Sequence, residues 1–243
     1  FAYEGECYWN IDRLPFLEER LIALGANKSN QSSILKRKSS TDRLQPIISG
    51  MTLEVIFSAR SPYSYLALPQ LIEFRKKFPV KIVYRPILPM VMRGMTINRE
   101  KQLYIVHDCK RVADKKGIPF GNIADPLGKA VERCYSLFQH VQENGKEEEY
   151  FSTFLKAVWA EGQHGYLTKT LKNIVEKIGL NWQEAKTKLD NNEWHQIIEK
   201  NRQALYAQGK WGVPTMILKN QNEETVLSVW GQDRIWLIEE EIH

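Results

Sequence analysis

The residues whose types and spacing best suit chemistry are Ser61-Pro62-Tyr63-Ser64, set between a β-rich run and a helical pattern. Ser61 has the type of a helix N-cap, and Pro62 suits the first helical position. In an arbitrary chain that would be a cap and nothing more. The location adds something, however. A helix start offers unpaired N–H groups and about half a positive charge, so an anion such as a thiolate is stabilised there. A serine hydroxyl can donate one further hydrogen bond to that sulfur.

Two later segments share this mixture of a bland and a functional reading. Gly212-Val213-Pro214-Thr215 stands just before a β run. It reads as a turn that starts a strand, with the X-Pro bond open between trans and cis. With a cis bond, the N–H and C=O of Val213 are free to pair with an extended peptide ligand as an added strand would. Trp230-Gly231-Gln232-Asp233-Arg234 lies between the last strand and the last helix. Gly231 permits a tight turn and Asp233 has the type of a helix cap. Gln232 and Asp233 could also hold the amino group of a ligand while backbone N–H groups take its carboxylate.

Other chemistries find less support. Cys7, Cys109 and Cys134 are far apart and none belongs to a C-x-x-C, which argues against a disulfide framework and fits a reducing cytoplasm. The five histidines show neither H-x-x-x-H spacing nor a Cys/His cluster, so no metal site is expected. Net charge is +5, and part of it sits in the tract Lys28 to Arg43. That tract lacks interleaved aromatics or an amphipathic pattern, so it reads as a solvated linker rather than a nucleic-acid or membrane patch. No run approaches the length of a membrane-spanning helix. The start, Phe1-Ala2-Tyr3-Glu4, has no basic-then-apolar signal layout and reads as an internal fragment or a first ordered residue.

The elements that must position these segments follow from periodicity. Leu53–Phe57 and Lys81–Arg85 read as strands around a helix with Tyr65, Leu68 and Ile72 on one face, Leu71 and Phe74 flanking it, and Pro79 ending it. Residues 98 to about 208 read as a helical insertion. Val131, Cys134, Tyr135, Phe138 and Val141 keep helical spacing, as do Phe151, Phe154, Leu155, Val158 and Trp159. So do Leu167, Leu171, Ile174, Val175 and Ile178. Thr215–Leu218 and Thr225–Val229 suggest an antiparallel hairpin, followed by a helix from about Asp233 to Ile242. The pattern is a mixed α/β sheet with a helical insertion.

A repeat is also visible. Trp9, Asp12, Arg13, Leu17, Glu18 and Glu19 are matched by Trp230, Asp233, Arg234, Ile238, Glu239 and Glu240, each 221 positions later. Residues 1–26 are therefore expected to be the last strand and helix of an upstream copy, 27–50 a linker, and 51–243 an intact domain.

Each chemical signal is weak alone; their order is specific. Strand, Ser-Pro-x-Ser, helix, helical insertion, Gly-Val-Pro-Thr, hairpin, Gly-Gln-Asp-Arg, helix resembles the DsbA-like branch of the thioredoxin superfamily. Within it, the chain is most similar to 2-hydroxychromene-2-carboxylate isomerases and kappa-class glutathione transferases. The resemblance spans Met51 to Ile242 and implies an α/β thioredoxin-like fold with an inserted all-helical subdomain. It implies glutathione as cofactor, with Ser61 against its sulfur, the backbone of Val213 before a cis Pro214 pairing it like a strand, and Gln232 and Asp233 at its γ-glutamyl end. It further implies a cytoplasmic isomerase or transferase acting on a small electrophilic, aromatic-derived substrate, and either a homodimer or a pseudo-dimer of tandem copies. The alternative is a catalytically degenerate domain that binds a peptide or protein partner. Redox relatives carry C-x-x-C where this chain has Ser61-Pro62-Tyr63-Ser64, so dithiol exchange is not expected here. The stretch Ile87 to Arg99 carries no motif that matches the family.

Overall fold

The computed structural model describes residues 1–26, 28 and 50–243. The chain divides into two compact units, Phe1–Gln45 and Pro46–His243. All but two positions of the expected linker at 27–50 lie outside the described residues.

In the first unit, β1 (Ala2–Tyr3) and β2 (Glu6–Cys7) form a two-residue antiparallel ladder with Ala2 opposite Cys7. The ladder is closed at its end by reciprocal backbone bonds between Phe1 and Tyr8. A 3-10 turn at Ile11–Arg13 leads into α1 (Leu14–Ala23).

The second unit is built on a four-stranded sheet of β3 (Thr52–Phe57), β4 (Lys81–Pro86), β5 (Thr215–Lys219) and β6 (Thr225–Trp230), in the order β4-β3-β5-β6. β3 runs parallel to β4 and antiparallel to β5, and β6 returns antiparallel on the outer side. The central β3 is buried along almost its whole length, as a strand covered on both faces must be. Its one charge, Glu54, is buried and is matched by Arg85 on β4 and by the Lys219 ammonium on β5 at 3.0 Å, which offsets its desolvation.

β3 and β4 are joined by α2 (Pro62–Lys77). The helix buries Leu66 and Ala67 besides Tyr65, Leu68, Leu71 and Phe74, while Ile72 is only partly covered. Its apolar face is thus wider than the expected stripe, because α2 packs against both the insertion and the C-terminal helix. The insertion comprises α3 (Arg99–Lys116), α4 (Lys129–Ser136), α5 (Phe138–Glu143), α6 (Glu147–Trp159), α7 (Thr168–Lys177), α8 (Trp182–Lys186) and α9 (Trp194–Ala207). Most of its aromatic residues are core, while Tyr166 and Tyr206 are exposed. Phe151 lies 4.6 Å from the ring of Phe57 on β3 and 5.7 Å from that of Phe138, so sheet and insertion share one apolar interior. Leu167 departs from the expected stripe: it is the N-cap of α7 and is exposed.

The chain ends in a 3-10 turn at Gln232–Arg234 and α10 (Ile235–Ile242). The two segments of the repeat adopt the same local design. Asn10 with φ 65° precedes the first 3-10 turn, and Gly231 with φ 109° precedes the second. A helix follows directly in both places.

Candidate functional site

The turn after β3 is held from several directions. Ser61 caps α2: its hydroxyl oxygen accepts the Ser64 N–H at 3.1 Å, while its own N–H donates to Ser58 O at 2.9 Å. A hydroxyl that accepts from the helix retains its proton as a donor. Upstream, the Ala59 N–H donates to the Tyr135 hydroxyl at 3.0 Å, and that hydroxyl donates to Ile87 O at 2.8 Å. Burial pushes the Tyr135 phenol well up, so it remains protonated and able to donate. The Trp159 indole N–H donates to Ala59 O at 3.2 Å, and Arg60 makes a two-pronged pair with Asp125 at 2.7 Å for each prong. Inside the Ser-Pro-x-Ser segment, the Tyr63 hydroxyl donates to buried Asp108 of α3 at 2.7 Å.

The second segment contains a cis bond between Val213 and Pro214. The Pro214 carbonyl accepts the Gly231 N–H at 2.9 Å, and the Thr215 hydroxyl donates to Gly212 O at 2.9 Å. Among the described residues, neither the N–H nor the C=O of Val213 takes part in a hydrogen bond. Gly212 is required by close approach. A β-carbon there would fall 2.2 Å from the Trp230 ring, which stands 5.0 Å from the ring of Trp211. Arg93, in the stretch without a family motif, donates to Trp211 O at 3.1 Å and so ties that stretch to this loop.

The third segment differs from expectation in two respects. Asp233 caps neither the 3-10 turn nor α10; instead one of its carboxylate oxygens accepts from the side-chain amide of Gln232. Gln232 itself is 1% exposed, and its amide oxygen accepts from Gln70 of α2 at 2.8 Å. The Gln232 side chain is thus committed within the fold, and Asp233 is the group that it holds.

Strand register brings the three segments to one edge of the sheet. Ile56 of β3 stands opposite Thr215 of β5, which stands opposite Trp230 of β6. The chain leaves that row towards Ser61, arrives at it from Val213-Pro214, and leaves it again towards Gln232-Asp233. A capped helix start, a peptide unit without a hydrogen bond and a carboxylate therefore share one end of the sheet. Among the described residues no cluster of three or more His, Cys, Asp or Glu is placed to hold a metal ion. Cys134 is buried and its thiol is pushed well up by desolvation, which disfavours the thiolate there.

A family model described as the DsbA-like thioredoxin domain matches residues 52–243. The chain belongs to that family. A 2-hydroxychromene-2-carboxylate isomerase of Pseudomonas putida is 25% identical over 197 residues, covering 78% of this chain and 93% of the relative. A solved structure of such an isomerase superimposes with a TM-score of 0.64 at 24% identity, covering 78% of this chain and 93% of that one. The cytosolic disulfide reductase DsbM of Pseudomonas aeruginosa shares the fold at a TM-score of 0.61 and 17% identity, covering 79% and 98%.

Ser61, Val213, Pro214, Gln232 and Asp233, the residues singled out from the sequence, all lie in the three segments that meet at this end of the sheet. Sequence reasoning missed Gln70, Asp108 and Arg93. Each is a polar residue on a helical or irregular stretch, and the contact that ties it to the site, Gln70 to Gln232, Asp108 to Tyr63 and Arg93 to Trp211, spans 45 or more positions and arises only when distant segments meet.

Proposed function

We propose that the domain is a glutathione-dependent isomerase or transferase for a small electrophilic, aromatic-derived substrate. The observation that carries this reading is the capped Ser61 hydroxyl at the start of α2, on the same sheet edge as Val213 and Asp233. These residues suit a γ-glutamyl-cysteinyl-glycine ligand: a donor for its sulfur, an unpaired peptide unit for its backbone, and a carboxylate for its ammonium group. When bound, glutathione supplies a thiol whose ionised form attacks electrophilic carbon.

The chain's own residues do the rest. Ser61 would donate a hydrogen bond to the sulfur anion while keeping its proton, and the first turn of α2 would add the field of its N–H groups. Val213 aligns the cysteinyl unit as a neighbouring strand would. Asp233, held by Gln232, fixes the far end, so that binding energy spent there orients the sulfur. The Ser64 N–H donates to the Ser61 hydroxyl and the Ser64 hydroxyl oxygen accepts the Ser58 N–H at 3.4 Å; with serine at both positions this turn carries no dithiol.

We place the protein in a reducing cytoplasm, in keeping with three cysteines that form no disulfide among the described residues. The 221-residue repeat favours a parent chain in which residues 1–26 close an upstream copy, with two copies packing as a pseudo-dimer; a homodimer of single copies is the other arrangement. The test is turnover of a chromene carboxylate and of a halogenated nitroarene with glutathione. Ser61→Ala should lower the rate at least about tenfold with the fold retained. An equal rate in the variant would refute the role of Ser61. No turnover together with binding of extended peptides would favour the degenerate, partner-binding reading.

A further inference from the structure

Gln232 does not act alone. Its amide oxygen accepts from the side-chain amide of Gln70, which lies on the same helix that Ser61 caps. The second N–H of that Gln70 amide donates to Leu66 O, one turn back, at 2.8 Å. The Gln70 amide oxygen accepts from the Lys116 ammonium, at the end of α3, at 2.5 Å. Every polar atom of the Gln70 side chain is therefore used. Its orientation is dictated by its surroundings, because a carbonyl can only accept and an ammonium can only donate. Turned over, the amide would set its N–H groups against Lys116 and its oxygen against Leu66 O.

That orientation propagates. Because Gln70 presents an N–H, Gln232 must answer with its oxygen, and its own N–H groups are left to face Asp233. The bonds run in one direction, from cation to carboxylate: Lys116 to Gln70, Gln70 to Gln232, Gln232 to Asp233. Aligned donors of this kind polarise one another, most where the chain passes through the buried Gln232 amide. The link also joins α2, which carries Ser61 at its start, to the turn that carries Asp233. The spacing between those two groups is what one ligand, bound at both ends, would sense.

We propose that Gln70 is a positioning residue for the ligand's ammonium group, acting through Gln232 on Asp233, with Lys116 setting its orientation. The inference rests on the glutathione reading above. Gln70 touches no ligand in this account; it fixes the direction in which the Gln232 amide points, and so the carboxylate that receives the cation.

The test is calorimetric titration of the full chain with glutathione, and with an analogue in which the γ-glutamyl ammonium group is replaced by hydrogen. Gln70→Leu should bind glutathione about tenfold more weakly, because the buried Gln232 oxygen loses its donor, while affinity for the deaminated analogue stays within about twofold. Gln70→Glu, closer to the native shape, should lose more than Gln70→Leu, since a carboxylate there invites the Gln232 amide to turn and set its oxygen against Asp233. Lys116→Met, at an exposed position, should weaken glutathione about twofold to threefold and supplies a variant that folds if the Gln70 variants do not. In an Asp233→Asn background the Gln70→Leu effect should vanish. Equal losses for both ligands, or better binding by Gln70→Glu than by Gln70→Leu, would mean that Gln70 is only structural. Glutathione binding by wild type that is unchanged in Gln70→Leu would overturn this inference alone. Absence of binding by wild type would overturn the glutathione reading and this inference with it.

Discussion

Replacing Ser61 with alanine removes two things that the structure separates. One is the acceptor for the Ser64 N–H at 3.1 Å, which is the helix cap. The other is the hydroxyl proton offered to the sulfur. A thiol near an ordinary pKa of about 8.5 must be lowered by roughly two units to be mostly ionised at neutral pH, and each unit corresponds to about 1.4 kcal/mol. A hydrogen bond to a charged group contributes about 1.5–3 kcal/mol, against about 0.3–1 kcal/mol for an exposed helix terminus. The hydroxyl is thus the larger share. Ser61→Ala should raise the pKa of the bound thiol by about one to two units, read from the ultraviolet absorbance of the thiolate as pH is raised. The rate should fall at neutral pH and approach wild type above the variant's thiol pKa, because ionisation is then complete without the serine. Loss of the cap costs about 1 kcal/mol, equivalent to a melting temperature lower by about 2–4 °C in a domain of this size. Ser61→Asp separates the two effects. It keeps a cap acceptor but places a negative charge beside the sulfur, so it should melt higher than Ser61→Ala yet show the higher thiol pKa. A bound thiol whose pKa is the same in wild type and Ser61→Ala would refute the reasoning, whatever the melting temperatures.

Three further outcomes follow from the same geometry. Gly212→Ala puts a methyl group into the Trp230 ring, so it should destabilise by about 1–3 kcal/mol in urea melts and weaken glutathione binding as the Val213 loop shifts. The Tyr65 phenol is pushed up to about 12, first by burial and then by the charge of Glu161. A phenol held neutral in the fold contributes stability that is complete below its unfolded pKa of about 10 and is lost as pH climbs towards 12. Urea melts should therefore weaken across that window, and less steeply in Tyr65→Phe. A thiol-reactive maleimide should label Cys7, which is exposed, and spare buried Cys109 and Cys134 until the protein is denatured; rapid labelling of Cys134 in the native protein would contradict its placement in the core.

Much of this architecture was legible in local pattern. The strands around α2, the β5–β6 hairpin and the helical stripes follow from short-range periodicity, and Ser61 was recognisable as a cap from its type and the proline after it. The candidate site was read from the order of three weak segments, each ambiguous by itself. What local pattern did not reveal depends on residues that meet only after folding. Asp233 has the type of a cap, yet the neighbouring amide of Gln232 claims its carboxylate, because Gln70 arrives from 162 positions earlier in the chain and turns that amide. Leu167 has the spacing of a core residue but sits where the chain enters α7 and faces solvent. Ile72 lies on the expected apolar face of α2, yet the helix is buried along a broader arc that leaves it at the margin.

The central claim is that glutathione binds with its sulfur at Ser61 and its ammonium group at Asp233. The most direct measurement is a calorimetric titration of wild type and Asp233→Ala with glutathione. The account predicts saturable binding by wild type that is at least about tenfold weaker in the variant, the loss expected when a charged hydrogen bond is removed. No heat of binding by wild type at millimolar glutathione, or equal affinity in the two proteins, would contradict it.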